Sequence, residues 1–464
     1  MGNRHFDLAI IGSGSGNSIL DERFADWRVA ILEKGTFGGT CLNVGCIPTK
    51  MFVFPAGLAR TAADGARLGV HTSFEGADWP AIRDRIFRRI DPISVAGRNY
   101  RAAASPHTTL YEAHARFVGE RTIDTGTGET ITADQVVVAA GSRPVVPPIP
   151  GLAETRHHTS DTIMRLDSLP GRLAIIGGGF VAAEFAHVFS AFGTDVTLLN
   201  RSSALLREED DDISTRFTEL AQERWDVRLN CQASKVEEYD GGIRLHLDDG
   251  STLDVDEVLV ATGRRSNSDG LDPERAGIAV NDDGLVVVDE YQRTTAPGVF
   301  ALGDVSNRFQ LKHVSNHEAR VVQHNLLHPG EPVKANHDNI PSAVFSQPQV
   351  ASVGLTEREA RNRGVVYVGS RQAYGDTAYG WAMEDTTGFV KLLADPTTGL
   401  LLGAHLIGPQ ASNLIQPLIQ AMSFGQTVHD VARGQYWIHP ALMEVVENAL
   451  LGIDVHEPRG ATPG

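Results

Sequence analysis

Two apolar strand patterns, each followed by a glycine-rich loop, constrain the fold of this chain more than any other feature. The patterns cover residues 6–11 and 173–176, and each loop leads into a helical stretch. In such a unit the glycines let the backbone approach a pyrophosphate at the N-terminus of the following helix. The fingerprint residues are Gly12 and Gly14 in the first loop, and Gly177, Gly179 and Ala182 in the second. Two copies predict an α/β protein with two Rossmann-like dinucleotide-binding domains.

The residues near the next strand of each unit predict which nucleotide binds there. Glu33 follows that strand in the first unit, where an acid accepts the ribose hydroxyls, although Asn17 replaces the third glycine of the loop. In the second unit Asn200 replaces the acid, and Arg201 and Arg207 follow. Arginine accommodates the 2′-phosphate of NADPH. The alternative is a pair of solvated arginines on a surface loop.

Two of the three cysteines, Cys41 and Cys46, are five residues apart. Residues five apart in an ideal helix are separated by roughly 8–9 Å, whereas a disulfide requires Cα atoms about 4.4–6.8 Å apart. A reversible bridge therefore predicts a distorted helix start. Gly45 tolerates the distortion, and Pro48 favours it because proline cannot donate to the carbonyl of Val44. Helix-terminal N–H groups are expected to lower the pKa of Cys41.

Two other uses of these cysteines are open. A zinc site needs about four ligands, and the chain has no further cysteine pair. A structural disulfide that closes so short a loop would stabilise the fold little.

Residues 38–50, GGTCLNVGCIPTK, resemble the redox-active segment of the flavoprotein disulfide reductases, the class I pyridine nucleotide-disulfide oxidoreductases. Residues 295–304 are similar to the second FAD motif of that family. The resemblance implies FAD in the first unit and NADPH in the second. It implies FAD-binding roles for Gly12, Gly14, Glu33, Gly39, Thr40, Lys50, Gly141 and Asp304. It implies NADPH-binding roles for Gly177, Gly179, Ala182, Arg201, Arg207 and Gly263.

The same resemblance implies the order of electron transfer. NADPH reduces FAD, and the reduced flavin reduces a Cys41–Cys46 disulfide. Cys46 is expected nearer the flavin, and Cys41 is expected to attack an external disulfide. Lys50 is expected beside the flavin, paired with Glu184. Phe180 stands where several glutathione reductases have a tyrosine that covers the nicotinamide pocket.

His439 and Glu444 complete the implied catalytic set. A histidine near the end of a chain is by default a surface or packing residue, but the family pattern is a His-Pro pair with a glutamate five residues after the histidine. Histidine suits proton transfer near neutral pH, and a carboxylate orients it. The resemblance implies that His439 of the partner subunit protonates the departing thiol, so the chain is expected to form a homodimer with shared active sites.

The length of 464 residues suggests several domains. The resemblance and the proline-rich stretch at 144–150 divide the chain into four segments. These are the first part of an FAD domain at 1–148, an NADPH domain at 149–266, the second part of the FAD domain at 267–338, and an α+β dimerisation domain at 339–464.

Charge and cysteine content limit the partners and the compartment. The net charge of −17 argues against nucleic-acid binding, which depends on basic patches. Three cysteines are typical of an intracellular protein, and Cys231 is interpreted as an incidental thiol. The sequence predicts no signal peptide and no apolar run of the roughly 18 residues that span a membrane. A cytoplasmic protein is expected.

The substrate follows from elimination and resemblance only. Mercuric reductases have a cysteine pair near the C-terminus, but no cysteine follows Cys231 here. Residues 21–23, Asp-Glu-Arg, suit an anionic tripeptide such as glutathione poorly. Residues 15–23, 379–386 and 434–440 are similar to the mycothione-reducing branch of the family. The resemblance implies mycothione, the disulfide of a sugar-linked cysteine derivative without a carboxylate.

Three alternatives stay open. The chain could reduce another small disulfide of the glutathione type. A dihydrolipoamide dehydrogenase-like enzyme would use NADH, which Asn200 disfavours. A redox sensor or flavin carrier without enzyme activity would have no need for His439 and Glu444.

Overall fold

The computed structural model of the chain describes residues 4–104 and 106–455. The strands are β1 Arg4–Ile11, β2 Val29–Leu32, β3 Thr108–Tyr111, β4 Arg116–Gly119, β5 Thr122–Asp124, β6 Thr130–Val138, β7 Ser142–Pro144, β8 Arg172–Ile176, β9 Asp195–Asn200, β10 Asp226–Leu229, β11 Ala233–Tyr239, β12 Gly242–Leu247, β13 Thr252–Val255, β14 Glu257–Val260, β15 Arg264–Ser266, β16 Val299–Ala301, β17 Ser342–Val344, β18 Gln349–Gly354, β19 Val368–Ala373, β20 Phe389–Ala394 and β21 Leu401–Gly408. The α-helices are α1 Gly39–Asn43, α2 Cys46–Asp64, α3 Trp79–Asn99, α4 Phe180–Ala191, α5 Asp211–Gln222, α6 Lys312–Leu327, α7 Glu357–Asn362, α8 Ala378–Met383, α9 Ala411–Leu414, α10 Gln416–Phe424, α11 Val428–Arg433 and α12 Glu444–Leu451.

The first sheet has the strand order β3-β2-β1-β6-β5-β4, with β16 also paired to β6. Strands β3, β2, β1, β6 and β16 are parallel, and β5 and β4 extend the sheet in antiparallel fashion. The four residues of β2 are all buried, as is typical of a parallel strand that is covered on both faces. Ligands of such sheets bind at the carboxyl ends of the strands, and the first glycine loop and Glu33 both lie at that edge.

The chain after the first glycine loop differs from the expectation. It forms two short 3₁₀ helices, Gly16–Ile19 and Glu22–Phe24, in place of an α-helix. Arg101 lies next to Asn17, and its Nε donates to Asn17 Oδ1 over 2.7 Å. Helix α6 lies beside this segment, and its Gln323 Nε2 donates to the carbonyl of Ile19 over 2.6 Å.

The second sheet has the parallel order β10-β9-β8-β14, and β11-β12-β13 form a separate antiparallel sheet. Here the glycine loop leads from β8 directly into a regular helix, α4. Helix α4 and the cysteine-bearing helix α2 share one hydrophobic core, which includes Phe52, Trp79 and Phe189. Phe52 stacks on Trp79 with ring centroids 4.9 Å apart. This core fixes the first unit against the second.

The third sheet is antiparallel, in the order β17-β18-β21-β20-β19. Helices α9 to α12 contribute to a hydrophobic core on this sheet. Several large apolar side chains in this part are left exposed, among them Phe424, Tyr436 and Ile438. The predicted architecture of two Rossmann-like units and a C-terminal α+β unit is confirmed.

The helical stretch Gly39–Leu68 is long and apolar enough to cross a membrane on length and composition alone. The sequence predicted no uninterrupted apolar run of this length, and this criterion is a looser one because it admits up to two charged residues. Core helices of folded domains meet the same criterion. This stretch is also interrupted between α1 and α2.

Candidate active site: two cysteines in a dinucleotide-sized cleft

A cleft of about 510 Å³ runs along the carboxyl edge of the first sheet to the start of α2. Eleven predicted site residues line it: Gly12, Gly14, Glu33, Gly39, Thr40, Cys41, Cys46, Lys50, Gly141, Glu184 and Asp304. Phe180, the first residue of α4, also lines the cleft and is partly exposed. The structure therefore brings together the predicted FAD-binding residues and both cysteines.

The glycine loop of the first unit packs closely against neighbouring backbone. Gly12 has a φ of +107°, and a Cβ atom there would lie 2.3 Å from the carbonyl oxygen of Ala139. A Cβ at Gly39 would lie 2.7 Å from the Cα of Gly14, so the loop and the start of α1 approach closely because residue 39 is glycine. Glu33 Oε2 accepts from the backbone N–H and the hydroxyl of Ser13, over 2.8 and 2.6 Å.

The segment between the cysteines is bent as the geometry requires. Helix α1 ends at Asn43, and α2 begins at Cys46. A Cβ on Gly45 would lie 2.9 Å from the carbonyl oxygen of Thr40, so this bend requires glycine. Thr49 holds the far side of the bend, because its N–H and its hydroxyl both donate to the Gly45 carbonyl. The predicted distortion at Gly45 is confirmed.

Both cysteines are free thiols in this structure, and their pKa values move apart. The Cys41 thiol donates a hydrogen bond to Cys46, which together with the positive charge of Lys50 lowers the pKa of Cys46 to about 6. The same hydrogen bond, together with burial, raises the pKa of Cys41. The expectation that helix-terminal N–H groups lower the pKa of Cys41 was wrong, because Cys41 holds the proton that stabilises its neighbour.

Lys50 and Glu184 form the predicted ion pair. The Nζ atom of Lys50 lies 2.8 and 2.7 Å from the two carboxylate oxygens of Glu184. Glu184 is only 3% exposed, and it also accepts from the backbone N–H of Phe345 over 2.9 Å. The Lys50 ammonium lies 4.7 Å from the centre of the Phe345 ring. One carboxylate therefore holds the lysine at the cysteine pair.

Asp304 lies on the wall of the cleft in a short 3₁₀ helix after β16. Its Oδ2 accepts from the hydroxyl of Ser142 over 2.7 Å. Arg264 fixes the same serine, because its Nε donates to the Ser142 hydroxyl over 2.9 Å. These contacts hold the Asp304 side chain at the surface of the cleft.

The second glycine loop lies outside this cleft, between β8 and α4. Its fingerprint residues Gly177, Gly179 and Ala182 lie at the start of α4, and Gly263 follows β14 at the neighbouring edge. The buried Asn200 donates from Nδ2 to the carbonyls of Ser202 and Ala204, over 3.1 and 2.9 Å. Asn200 thereby shapes the loop that exposes Arg201 and Arg207.

His439 and Glu444 form a contact but do not line the cleft of their own chain. The Nδ1 atom of His439 lies 2.5 Å from Glu444 Oε1, and the histidine side chain is 71% exposed. Glu444 is the first residue of α12, and its side chain is mostly buried. The carboxylate therefore orients an imidazole that faces away from the fold of its own subunit.

The first cleft suits a dinucleotide by its donors and by its shape. It combines a glycine-rich loop, an acid after the end of β2 and a volume large enough for an extended ligand. Within residues 4–104 and 106–455, no group of three or more His, Cys, Asp or Glu side chains is arranged to hold a metal ion.

Sequence reasoning missed several side chains in the cleft, among them Ser15, Ser142 and Lys312. The Nζ atom of Lys312 donates to the Ser15 hydroxyl over 2.7 Å. Lys312 lies almost 300 residues after the glycine loop, so no local pattern connects the two.

The chain matches two family models. Residues 6–319 match "Pyridine nucleotide-disulphide oxidoreductase", and residues 340–450 match the dimerisation domain of the same name.

Curated proteins and solved structures match over nearly the whole chain. A mycothione reductase of Mycobacterium tuberculosis is 56% identical over 457 residues, which cover 97% of this chain and 99% of that protein. A glutathione reductase of Burkholderia cepacia is 34% identical, over 95% of this chain and 97% of that protein. The HOCl-induced flavoprotein disulfide reductase RclA of Escherichia coli has a similar structure, with a TM-score of 0.84 at 30% identity, over 96% of this chain and 99% of that chain.

Proposed function

This chain belongs to the pyridine nucleotide-disulphide oxidoreductase family, and on that premise we propose that it is an FAD-containing enzyme that uses NADPH to reduce mycothione. The observation that carries the proposal is the pair Cys41 and Cys46, which are in contact, reduced and exposed to one cleft with opposite pKa shifts. The 56% identity to a mycothione reductase supports the substrate.

The cofactors are assigned to the two glycine-loop sites. FAD would be held by Gly12, Gly14, Glu33, Gly39, Thr40, Lys50, Gly141 and Asp304. NADPH would be held by Gly177, Gly179, Ala182, Arg201, Arg207 and Gly263. When bound, FAD supplies a carrier for the electron pair between the nicotinamide and the cysteines.

The reduced cysteine pair begins the reaction with one proton. Because the pKa of Cys46 is about 6 and that of Cys41 is raised, the proton resides on Cys41 near neutral pH. Cys41 must lose this proton before its sulfur attacks the substrate disulfide. We propose that His439 of the partner subunit accepts this proton. Within this chain, Glu444 orients the imidazole of His439.

The exchange then proceeds in two steps. The Cys41 sulfur forms a mixed disulfide with one half of the substrate, and the other half leaves as a thiolate that takes the proton back from the histidine. The Cys46 thiolate next attacks the Cys41 sulfur, which forms the Cys41–Cys46 disulfide and expels the second thiolate, protonated by solvent. Two electrons pass from the cysteine pair to the substrate, and two thiols are released.

The chain assembles as a homodimer, as its dimerisation domain indicates. We propose that the active site is shared between the subunits. The exposed His439 and the exposed apolar side chains Phe424, Tyr436 and Ile438 support this, since all four belong to residues 424–439 of the dimerisation domain. Phe54 and Leu58 are also exposed, on the same helix that begins at Cys46.

Domain boundaries, compartment and partners complete the proposal. The first two sheets and the third sheet suit an FAD domain at 1–148 and 267–338, an NADPH domain at 149–266 and a dimerisation domain at 339–464. A cytoplasmic location without nucleic-acid or membrane partners suits a net charge of −17 and a pair of thiols that must remain reducible.

The deciding experiment is NADPH consumption by the purified FAD-loaded protein with mycothione, oxidised glutathione and lipoamide in parallel. We expect turnover with mycothione to exceed turnover with the other two by at least about tenfold in kcat/KM, which corresponds to about 1.4 kcal/mol in transition-state binding. The Cys46→Ser variant serves as the control, and it should lose activity with all three disulfides.

Two outcomes would change the assignment. Equal or greater activity with oxidised glutathione would refute mycothione as the substrate and keep the reductase. A preference for NADH with lipoamide would favour the dihydrolipoamide dehydrogenase alternative.

A further inference from the structure

Lys312 contacts the first glycine loop from a distant part of the chain. It is the first residue of α6, and its Nζ donates to the Ser15 hydroxyl over 2.7 Å. The side chain is half-buried, and burial lowers the pKa of its ammonium group. Among residues 4–104 and 106–455, no carboxylate forms an ion pair with Lys312. A partly buried cation therefore faces the cleft without a counter-charge in contact.

The loop that Lys312 contacts lacks the helix that normally follows it. In a complete fingerprint the N-terminus of an α-helix provides positive charge to the pyrophosphate. Here the loop leads into Gly16–Ile19, a 3₁₀ helix of four residues. So short an element sums few peptide dipoles, so its N-terminus offers little charge. Helix α6 lies beside this segment, fixed by the bonds from Gln323 to Ile19 and Asp21.

Among the described residues, Lys312 differs from the other cations that line the cleft, because its side chain bonds to the first glycine loop. The charged or titratable residues that line it are Glu33, Lys34, Cys41, Cys46, Lys50, His114, Arg143, Asp161, Glu184, Arg264, Asp304 and Lys312. Lys50 is paired with Glu184, and Arg143 is paired with Asp269. In the described part of the chain, no other lysine or arginine side chain bonds to Ser13 or Ser15. The negative charges of Cys41, Cys46 and Asp304 raise the pKa of Lys312 and so act against the effect of burial.

We propose that Lys312 binds the diphosphate of the dinucleotide at the first glycine loop, in place of the missing helix N-terminus. The Ser15 hydroxyl holds the ammonium group at the loop, where a diphosphate approaches the glycine backbone. The inference deepens the proposed function and rests on its assignment of FAD to this cleft.

The test measures FAD release from the full-length holoenzyme, followed by the rise in flavin fluorescence after dilution. Lys312→Met should release FAD about 10- to 100-fold faster than the unmodified chain, because a hydrogen bond to a charged group contributes about 1.5–3 kcal/mol. Lys312→Arg keeps the charge and should stay within about threefold of the unmodified chain. The matched control is Lys235→Met, which removes an exposed lysine of β11 that pairs with Glu237, and it should leave the release rate unchanged.

A second measurement identifies the group that Lys312 binds. ADP carries the diphosphate without the flavin, so it serves as a competitor when released FAD rebinds to the full-length chain. Lys312→Met should weaken ADP competition at least about fivefold. If FAD release is faster but ADP competition is unchanged, Lys312 acts on the flavin or on the cysteines, and the proposal is overturned. Release of FAD at the unmodified rate overturns it as well.

Failure of the inference and failure of the cofactor assignment give different results. A purified unmodified chain that takes up no FAD refutes the assignment itself. An unmodified chain that binds FAD, together with a Lys312→Met variant that retains it equally well, refutes only the role of Lys312. If Lys312→Met does not fold, Lys312→Gln, which keeps a hydrogen-bond donor without the charge, takes its place, and the same rates decide.

Discussion

At the scale of single residues, the two cysteines are not equivalent even before a substrate arrives. Cys46 receives a hydrogen bond and faces Lys50, whereas Cys41 donates that bond and is more deeply buried. At neutral pH the pair therefore carries one negative charge, on the Sγ atom of Cys46 at the start of α2. This division matches the proposed roles, since Cys46 acts second and Cys41 must first lose its proton.

The pKa of Cys46 gives a prediction with a definite sign. A thiol with a pKa of about 6 is ionised above that pH and protonated below it. In the reduced, FAD-loaded protein we therefore expect a thiolate-dependent long-wavelength absorbance that is present at pH 7 and lost as the pH falls through about 6. An absorbance titration between pH 8 and 5 measures it.

Two variants check this titration. Cys41→Ala removes the hydrogen bond that is the main cause of the lowered pKa, so the midpoint should rise toward the ordinary value of 9.0. Cys46→Ser should abolish the band. A midpoint that stays near 6 in Cys41→Ala would contradict the role of the hydrogen bond.

The sequence predicted much of this site at the residue scale. The spacing of Cys41 and Cys46 required a bend, and the structure has that bend at Gly45. The sequence did not predict which sulfur holds the proton, because the direction of the hydrogen bond depends on the three-dimensional positions of both thiols and of Lys50. The Ser15–Lys312 contact was missed for the same reason, since it joins residues that only the folded chain brings together.

At the scale of secondary-structure elements, a partly buried charge cluster joins α5 of the second unit to the third sheet. Lys391 of β20 lies 2.8 Å from Asp210, 2.9 Å from Asp212 and 2.8 Å from Glu357. Burial alone would lower the pKa of Lys391, but the hydrogen bonds with these three carboxylates raise it. Its hydrogen bond also lowers the pKa of Glu357 to about 2. Asp210, at the N-terminus of α5, lies at the end of the loop that carries Arg201 and Arg207.

We expect Lys391→Met to destabilise the protein by about 3–5 kcal/mol at pH 7, because it leaves the buried Asp210 carboxylate without its cation. The loss should shrink as the pH falls toward 4.5, where the unpaired carboxylates take up protons. The unmodified chain should instead lose stability between about pH 4.5 and 2, since the folded-state pKa of Glu357 lies below its ordinary value.

Thermal unfolding of both chains at pH 7 and pH 5 tests this prediction. Lys334→Met is the matched control, because Lys334 forms an exposed ion pair with Glu290, and it should change the melting temperature little. Equal melting temperatures for Lys391→Met and the control would show that the cluster does not stabilise the fold.

Element patterns were predicted best where the chain repeats a known local unit. The second fingerprint predicted β8, the loop and α4 in full. The first predicted β1 and β2 but not the 3₁₀ helices at 16–24, where a short crossover and the contacts of Asn17 with Arg101 replace the usual helix. The Lys391 cluster had no signal in the sequence, because its members come from three separate elements.

At the scale of the whole molecule, the histidine and the cysteines of one chain lie in different places. Cys41 and Cys46 line the cleft, whereas His439 lies outside it with its imidazole exposed. The family and fold predicted from the two glycine loops and the cysteine segment are confirmed. The shared active site stays a prediction, since it concerns two chains.

A mixture of two inactive variants tests the shared site. Cys46→Ser keeps His439, and His439→Gln keeps both cysteines. If each site combines cysteines from one subunit with a histidine from the other, half of the dimers in an equal, co-expressed mixture are mixed and contain one intact site of two. We expect about a quarter of the unmodified activity.

Each variant expressed alone should have little activity, which provides the baseline. Recovery to about a quarter in the mixture supports a site built from both subunits. No recovery, with mixed dimers verified by two different affinity tags, would contradict it.

Glu184 has a consequence for the engineering and evolution of such chains. Its carboxylate belongs to the helix of the second glycine loop, yet it holds Lys50 of the cysteine helix and the backbone of Phe345 beside the third sheet. Three parts of the chain thus meet at one side chain. Chimeras that exchange any one part with a distant relative must preserve this junction, so the parts inherit their compatibility together.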